Sequence, residues 1–228
     1  MSDQVLATDT LATPANSLLD PLASAWQQAD ELGIELIPTP LDKQPSAYIQ
    51  TSWSDKTWGL INQVFVKAVQ ASDSLAVHLR WRCDTPVRNI HDINVYADAC
   101  ALMFPASSGN AAVSSLNPDL PQSMGSESSP VNLWYWRAGA VAPLIGEAKG
   151  IGTVTRESDA NGLQASGLWQ AEEWQVVLMG PMPGLMGGDT LPVAFAVWAG
   201  SHAERAGIKS FTPTFCDLRL STPAGDAG

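Results

Sequence analysis

The stretch LAVHLRWR, residues 75–82, decides the fold class. Successive side chains of an extended strand point to opposite faces. Leu75, Val77, Leu79 and Trp81 therefore share one side, and His78, Arg80 and Arg82 the other. This is the pattern of a half-buried strand, with His78 as an outward polar residue. Working outward, YIQTSW, NQVFVKAV, VNLWYWRA, GTVTRE, WQVVLMG, VAFAVWAG and SFTPTFCDLRL read as further strand-length runs separated by turn residues. Many short runs of this kind predict an all-β, antiparallel β-sandwich with a few short helices and long loops. In VNLWYWRA both faces carry large apolar side chains, with Leu133 and Tyr135 on one and Trp134 and Trp136 on the other. Such a strand must be covered on both sides, by protein or by a flat ligand.

The chain has 228 residues, a length that all-β sandwiches reach as one unit. The expected organisation is an N-terminal extension over 1–40 packing on a single sandwich domain over 41–222, with a flexible tail over 223–228. Within the extension, a short helix is expected around Leu22 to Leu32, ended by Gly33 and followed by a strand piece, IELIP. Residues 106–130 are rich in Ser, Asn, Pro and Gly and form a long surface loop, a kind of segment that is often functional in a compact domain.

Composition removes several classes of function. Twelve Lys plus Arg against 23 Asp plus Glu give a formal net charge of −11, and a field of that sign repels phosphate backbones and anionic lipid. Nucleic acid is excluded as a partner on this ground. No apolar run approaches the length of a membrane span. Cys83, Cys100 and Cys216 lack the C-x-x-C spacing of a metal site or of covalent haem attachment and read as small buried side chains. His78, His91 and His202 form no ligand pair at helical spacing. The glycine-rich GPMPGLMGG at 180–188 lacks the lysine and following helix of a phosphate loop and reads as a flexible turn. Asp98 and the pair Glu172, Glu173 read as solvated surface carboxylates. The N-terminus has no basic region or continuous apolar core and so does not read as a signal peptide.

Two residues acquire meaning from their surroundings. Met103 lies in the apolar run ALMFP, and Lys209, one of five lysines, lies in AERAGIKS. Taken singly, the first reads as core and the second as a loop lysine. However, NVYADACALMFPASS, SPVNLWYWRAG, EEWQVVLM and VAFAVWAGSHAERAGIKSFTPTF together, in this order, resemble the gamma subunits of ethylbenzene dehydrogenase and its relatives. These are the haem b subunits of molybdenum enzymes such as dimethyl sulfide dehydrogenase, chlorate reductase and selenate reductase.

The resemblance implies a sandwich related to carbohydrate-binding modules, holding one haem b without covalent attachment. Its axial ligands would be Met103 and Lys209. His202, seven residues before Lys209, is the replacement ligand if Lys209 is exposed. By size and position, Phe104, Trp134, Trp136 and Trp198 are candidates for the pocket wall.

The resemblance also implies an electron-transfer subunit that is not an enzyme on its own. A molybdopterin-containing alpha subunit, an iron–sulfur beta subunit and a soluble carrier such as cytochrome c would be its partners. The expected location is the periplasm, reached by co-export with a partner bearing a twin-arginine signal, with the cytoplasm as the alternative. The competing reading from another class is a haem-free carbohydrate-binding sandwich, whose nine tryptophans would stack on sugar rings.

Overall fold

A computed structural model describes residues 5–10, 15–71, 73–90, 94–106, 117–157, 160–183 and 190–220. His91 and most of the 180–188 glycine-rich segment lie outside the described residues. Fourteen strands are found among those that are described: β1 (Val5–Thr10), β2 (Leu32–Glu35), β3 (Ile37–Pro38), β4 (Gln63–Ala71), β5 (Ser74–Arg82), β6 (Ala99–Pro105), β7 (Val131–Arg137), β8 (Leu144–Ala148), β9 (Thr155–Arg156), β10 (Gln164–Gln170), β11 (Glu173–Pro181), β12 (Thr190–Trp198), β13 (Ser210–Phe211) and β14 (Cys216–Arg219). Two short α-helices accompany them, α1 (Ala47–Trp53) and α2 (Leu120–Ser123).

The strands form two facing sheets, antiparallel throughout except at β1. One runs β10-β11-β5-β4, with β2 on the far side of β4; the other runs β14-β12-β6-β7-β8-β9, with β13 sharing the β12 edge and β3 beyond it. β1 passes from one sheet to the other, pairing in parallel with β14 through Val5–Ala7 and with β4 through Thr8–Thr10. The alternation read in 75–82 holds: Leu75, Val77, Leu79 and Trp81 face the space between the sheets. There they meet Cys100, Leu102 and Phe104 of β6, Trp134 and Trp136 of β7, and Phe195 and Val197 of β12. Trp136 packs edge-on against both Trp81 and Trp174, with centroids 6.4 and 5.1 Å away. Such pairs contribute about 0.5–1.5 kcal/mol each beyond the area they bury.

Three expectations differ from the structure. His78 is not outward but 4% exposed, because the segment before β2 lies over that face of the sheet. Leu18, Ala25, Trp26 and Ala29 pack there on Val69, Ala76, Val177 and Met179, and the Trp26 ring sits 5.2 Å from that of His78. The helix expected around Leu22 to Leu32 is instead a single 3₁₀ turn, Ser24–Gln27, followed directly by β2. Docking Trp26 on the sheet, with its Nε1–H donated to the Leu18 carbonyl at 3.1 Å, fixes this shorter path. YIQTSW is helical, as part of α1. Ser46 is extended ahead of it, and no residue of the segment is buried, so it has no face to offer a sheet.

Candidate functional site

The parity of β6 and β12 builds the site. Their inward residues fill the sandwich, leaving Ala99, Ala101 and Met103 of β6 and Ala194, Ala196 and Trp198 of β12 on the outer face. Alanines leave a shallow floor where larger side chains would fill the space. Above it lies a cavity of about 460 Å³, floored by Ala101, Ala194 and Ala196 and walled by β7, β8 and β13 through residues such as Leu133, Tyr135 and Phe211. That volume falls in the range of about 300–1,000 Å³ used for small ligands and cofactors. Its cover comes from Gln44, Pro45, Ile49 of α1, and Pro121 and Met124 around α2. The described part of the long 106–130 loop thus helps to enclose the site.

Met103 and Lys209 both line this cavity. Met103 is 8% exposed and Lys209 6%. β12 lies between them: Met103 pairs with Ala194 on one edge, while Ser210, next to Lys209, pairs with Val197 on the other. With about 3.3 Å per residue and 4.8 Å between strands, their backbones are separated by about 13 Å along β12 and about 10 Å across it. The cavity occupies the ground between.

Lys209 is held in an unusual state. Burial alone lowers its pKa from 10.5 to about 8, since a low-dielectric site disfavours the charged form. Among the described residues it has no carboxylate partner. Its Nζ lies 5.0 Å over the Trp198 ring and donates to the Met124 Sδ at 3.7 Å. The backbone that carries it is fixed from several sides. Thr39 N–H donates to the Lys209 carbonyl at 3.0 Å, and Thr39 Oγ1–H donates to the Gly207 carbonyl at 2.7 Å. Buried Glu204 accepts from the N–H of Ala199 at 2.9 Å and of Gly59 at 2.7 Å, and burial raises its pKa. Trp198 Nε1–H donates to the Ala206 carbonyl at 3.1 Å. A loop of this sequence would otherwise leave its lysine in water; these bonds turn it inward.

Asp98 is not a solvated carboxylate, as expected, but is 1% exposed. It accepts from Val87 N–H at 2.7 Å, Trp174 Nε1–H at 2.9 Å and Gly200 N–H at 2.8 Å. It thereby joins the core to the start of the lysine loop.

Of the wall candidates, Trp198 lines the cavity, whereas Phe104, Trp134 and Trp136 lie in the sandwich core on the other face of the same strands. The opposite sheet accommodates the two tryptophans with glycines. A Cβ at Gly180 would stand 3.0 Å from the Trp134 ring, and one at Gly167 would collide with Trp136. His202 is exposed on the 3₁₀ turn Gly200–His202 and is not part of the lining. Since Lys209 is buried, the condition for His202 to replace it is not met. The sequence reading does not single out Met124, Gln44 or Arg156, all in the lining. The signal that could have located the floor is the small-residue alternation A-x-A-x-M in β6 and A-x-A-x-W in β12.

Fold and site together define a β-sandwich with a half-open, largely apolar cavity on the outer face of one sheet, lined by a buried amine and a thioether. The architecture is shared with solved structures. A family 9 carbohydrate-binding module from Caldicellulosiruptor kristjanssonii, solved with glucose, superposes over 99% of this chain and 100% of its own with a TM-score of 0.52 and 10% identity, which is a likeness of fold alone. Sequence comparison is more specific, because the ethylbenzene dehydrogenase family matches residues 23–165. The chain belongs to that family. The chlorate reductase gamma subunit of Ideonella dechloratans is 30% identical over 92% of this chain and 83% of its own. The dimethylsulfide dehydrogenase gamma subunit of Rhodovulum sulfidophilum is 26% identical over 91% and 77%. A heme subunit assigned to a respiratory nitrate reductase of Haloferax mediterranei is 29% identical over 83% and 64%.

Proposed function

We propose that this chain is an electron-transfer subunit that holds one non-covalent haem b, with Met103 and Lys209 as the axial ligands. The observation that carries the reading is a lysine buried in an apolar cavity without a carboxylate partner among the described residues, sharing that cavity with a methionine. Burying an ammonium ion without a counter-charge is costly, and the depressed pKa is the expected response. A neutral amine is of little use to packing but is a competent metal ligand, because its lone pair is free only once the proton has gone. Met103 supplies a neutral, soft thioether, a ligand type that favours reduced iron. Among the described residues no group of three or more His, Cys, Asp or Glu could enclose a bare metal ion. The donor set instead suits a metal brought in by a macrocycle.

When bound, haem supplies a one-electron redox couple, which the protein tunes through its axial ligands and the dryness of the site. The residues of this chain have three tasks. The small alanine floor would leave room for the ring, the aliphatic walls would exclude water from it, and Lys209 and Met103 would hold the iron so that small molecules could not coordinate. Arg156, the other cation of the lining, offers a partner for acidic groups at the ligand's edge.

The names of the relatives, gamma or heme subunits of oxidoreductases, support assigning the chemistry of the complex to partner chains. Those partners are a molybdopterin-containing alpha subunit and an iron–sulfur beta subunit, with a soluble carrier such as cytochrome c outside. The chain would then have no activity on its own. It would reach the periplasm by export together with a partner bearing a twin-arginine signal; finding haem-loaded chain only in the cytoplasm while that partner is exported contradicts the route.

The assignment is tested by titrating the purified chain with ferric protoporphyrin IX. A shifted Soret band saturating at one equivalent is expected. A chain that gives no such band but binds glucose or cello-oligosaccharides is a sugar-binding module, and the haem reading fails.

A further inference from the structure

A neutral amine bound to a carbon has two N–H donors and one lone pair, and for Lys209 to act as a ligand the lone pair alone must face the large cavity. One N–H already has a place, at the Met124 Sδ, 3.7 Å from Nζ. For the second, Gln44 is the polar neighbour that lines both cavities with Lys209. This side chain is 5% exposed, and its Oε1 is a buried acceptor with no hydrogen-bond partner among the described residues. Unmet polar atoms of this kind are rare in folded proteins and ask for an explanation.

The orientation of the amide is not free. Its Nε2 donates to two carbonyls, Pro40 O at 3.3 Å and Gly207 O at 3.1 Å, so the nitrogen must occupy that end and the oxygen the other. Gly207 permits this close approach, since a Cβ there would collide with Oε1. Gln44, Met124 and Lys209 also line a second, small cavity of about 20 Å³ beside the large one. That volume holds one water molecule.

We infer that Gln44 positions the Lys209 amine: its Oε1 accepts the second N–H through the one water, and leaves the lone pair directed into the large cavity. The inference rests on the haem reading above. It makes Gln44 the outer-shell acceptor of an axial amine, the role that carboxylates and carbonyls play for metal-bound histidines. An acceptor on the N–H strengthens the amine as a donor, favours ferric iron and lowers the reduction potential.

The test uses the full chain and two variants. Gln44→Met keeps length and loses both polar atoms. Gly167→Ala destabilises the sandwich core by crowding the Trp136 ring, away from both cavities, and leaves Gln44 and Lys209 untouched. Relative to wild type, Gln44→Met is expected to weaken haem binding about 10–100-fold, the usual effect of losing an outer-shell partner. It should also raise the midpoint potential and populate high-spin ferric haem. Gly167→Ala should lower the melting temperature of the unloaded chain and leave potential and spin state unchanged. Wild-type affinity, potential and spin state in Gln44→Met overturn the inference alone, as do equal shifts in both variants. A wild-type chain whose haem spectrum is indifferent to Lys209→Ala removes the haem-ligand reading and this inference with it.

Discussion

Replacing Asp98 by alanine is expected to be among the most damaging single changes in this chain, although the residue touches neither cavity. Its carboxylate accepts from two fully buried donors, Trp174 Nε1–H at 2.9 Å and Gly200 N–H at 2.8 Å, and from the half-buried Val87 N–H at 2.7 Å. Alanine leaves all three without an acceptor and opens too little space for water to serve each. A buried donor that loses its partner costs about 1–3 kcal/mol, and bonds to a charged acceptor lie at the upper end. The sum is about 3–9 kcal/mol, against a total stability of about 5–15 kcal/mol for a domain. Asp98→Asn keeps one acceptor oxygen but turns an N–H₂ toward a donor, and should cost about half as much. Equilibrium denaturation in urea, followed by tryptophan fluorescence, measures both. Since Gly200 opens the loop that carries Lys209, the alanine variant should also bind any cavity ligand more weakly. A loss below about 1 kcal/mol for Asp98→Ala would refute the reasoning, because it would mean that the three donors find other partners at no cost.

Three further outcomes follow from the packing. His78, with Trp26 over it and Lys67, Arg80, Glu31 and Gln175 around it, has a pKa lowered from 6.5 to about 4, chiefly by burial and secondarily by Lys67. The unfolded chain therefore takes up the proton first as the pH falls. This contribution to stability is complete above about pH 6.5 and is lost as the pH drops toward 4, by on the order of 3 kcal/mol; thermal melts across that window should show the slope, and His78→Leu should flatten it. Gly167→Ala drives a methyl into the Trp136 ring and should destabilise by about 1–3 kcal/mol as overpacking does; a neutral result in denaturant would place Trp136 elsewhere. Burial raises the pKa of Cys83 and Cys216 to about 12 and of Cys100 further still. None should react with a thiol-specific disulfide reagent at pH 8 until the chain unfolds, whereas rapid native labelling would contradict the burial.

The legible part of the fold is the part written in period two. Residues 75–82 alternate without interruption, and β4, β7, β11 and β12 follow the same rule, so the sandwich could be read from them. β10 could not, because QASGLWQ is half-exposed along its length and has a glycine at its centre; that glycine is a notch for Trp136, which lies across the sandwich and far away in sequence. The burial of His78 was equally hidden, because it depends on a segment some fifty residues earlier folding back over the sheet.

At the site, resemblance directed attention to Met103 and Lys209, and both line one cavity. Of the aromatic wall candidates, Trp198 lines the cavity, whereas Trp134 and Trp136 share one parity of β7 and that parity faces the core. Small residues, not large ones, mark the cavity. Gln44 and Met124 reach it from a loop and a helix end whose packing no local pattern announces.

The central claim is that one buried amine and one thioether grip the same metal from opposite sides. Low-temperature electron paramagnetic resonance of the ferric, haem-loaded chain tests it most directly, compared across wild type, Lys209→Ala and Met103→Ala. The account predicts a single low-spin species in wild type that is lost or replaced in each variant. The wild-type signal persisting unchanged in both variants would contradict it.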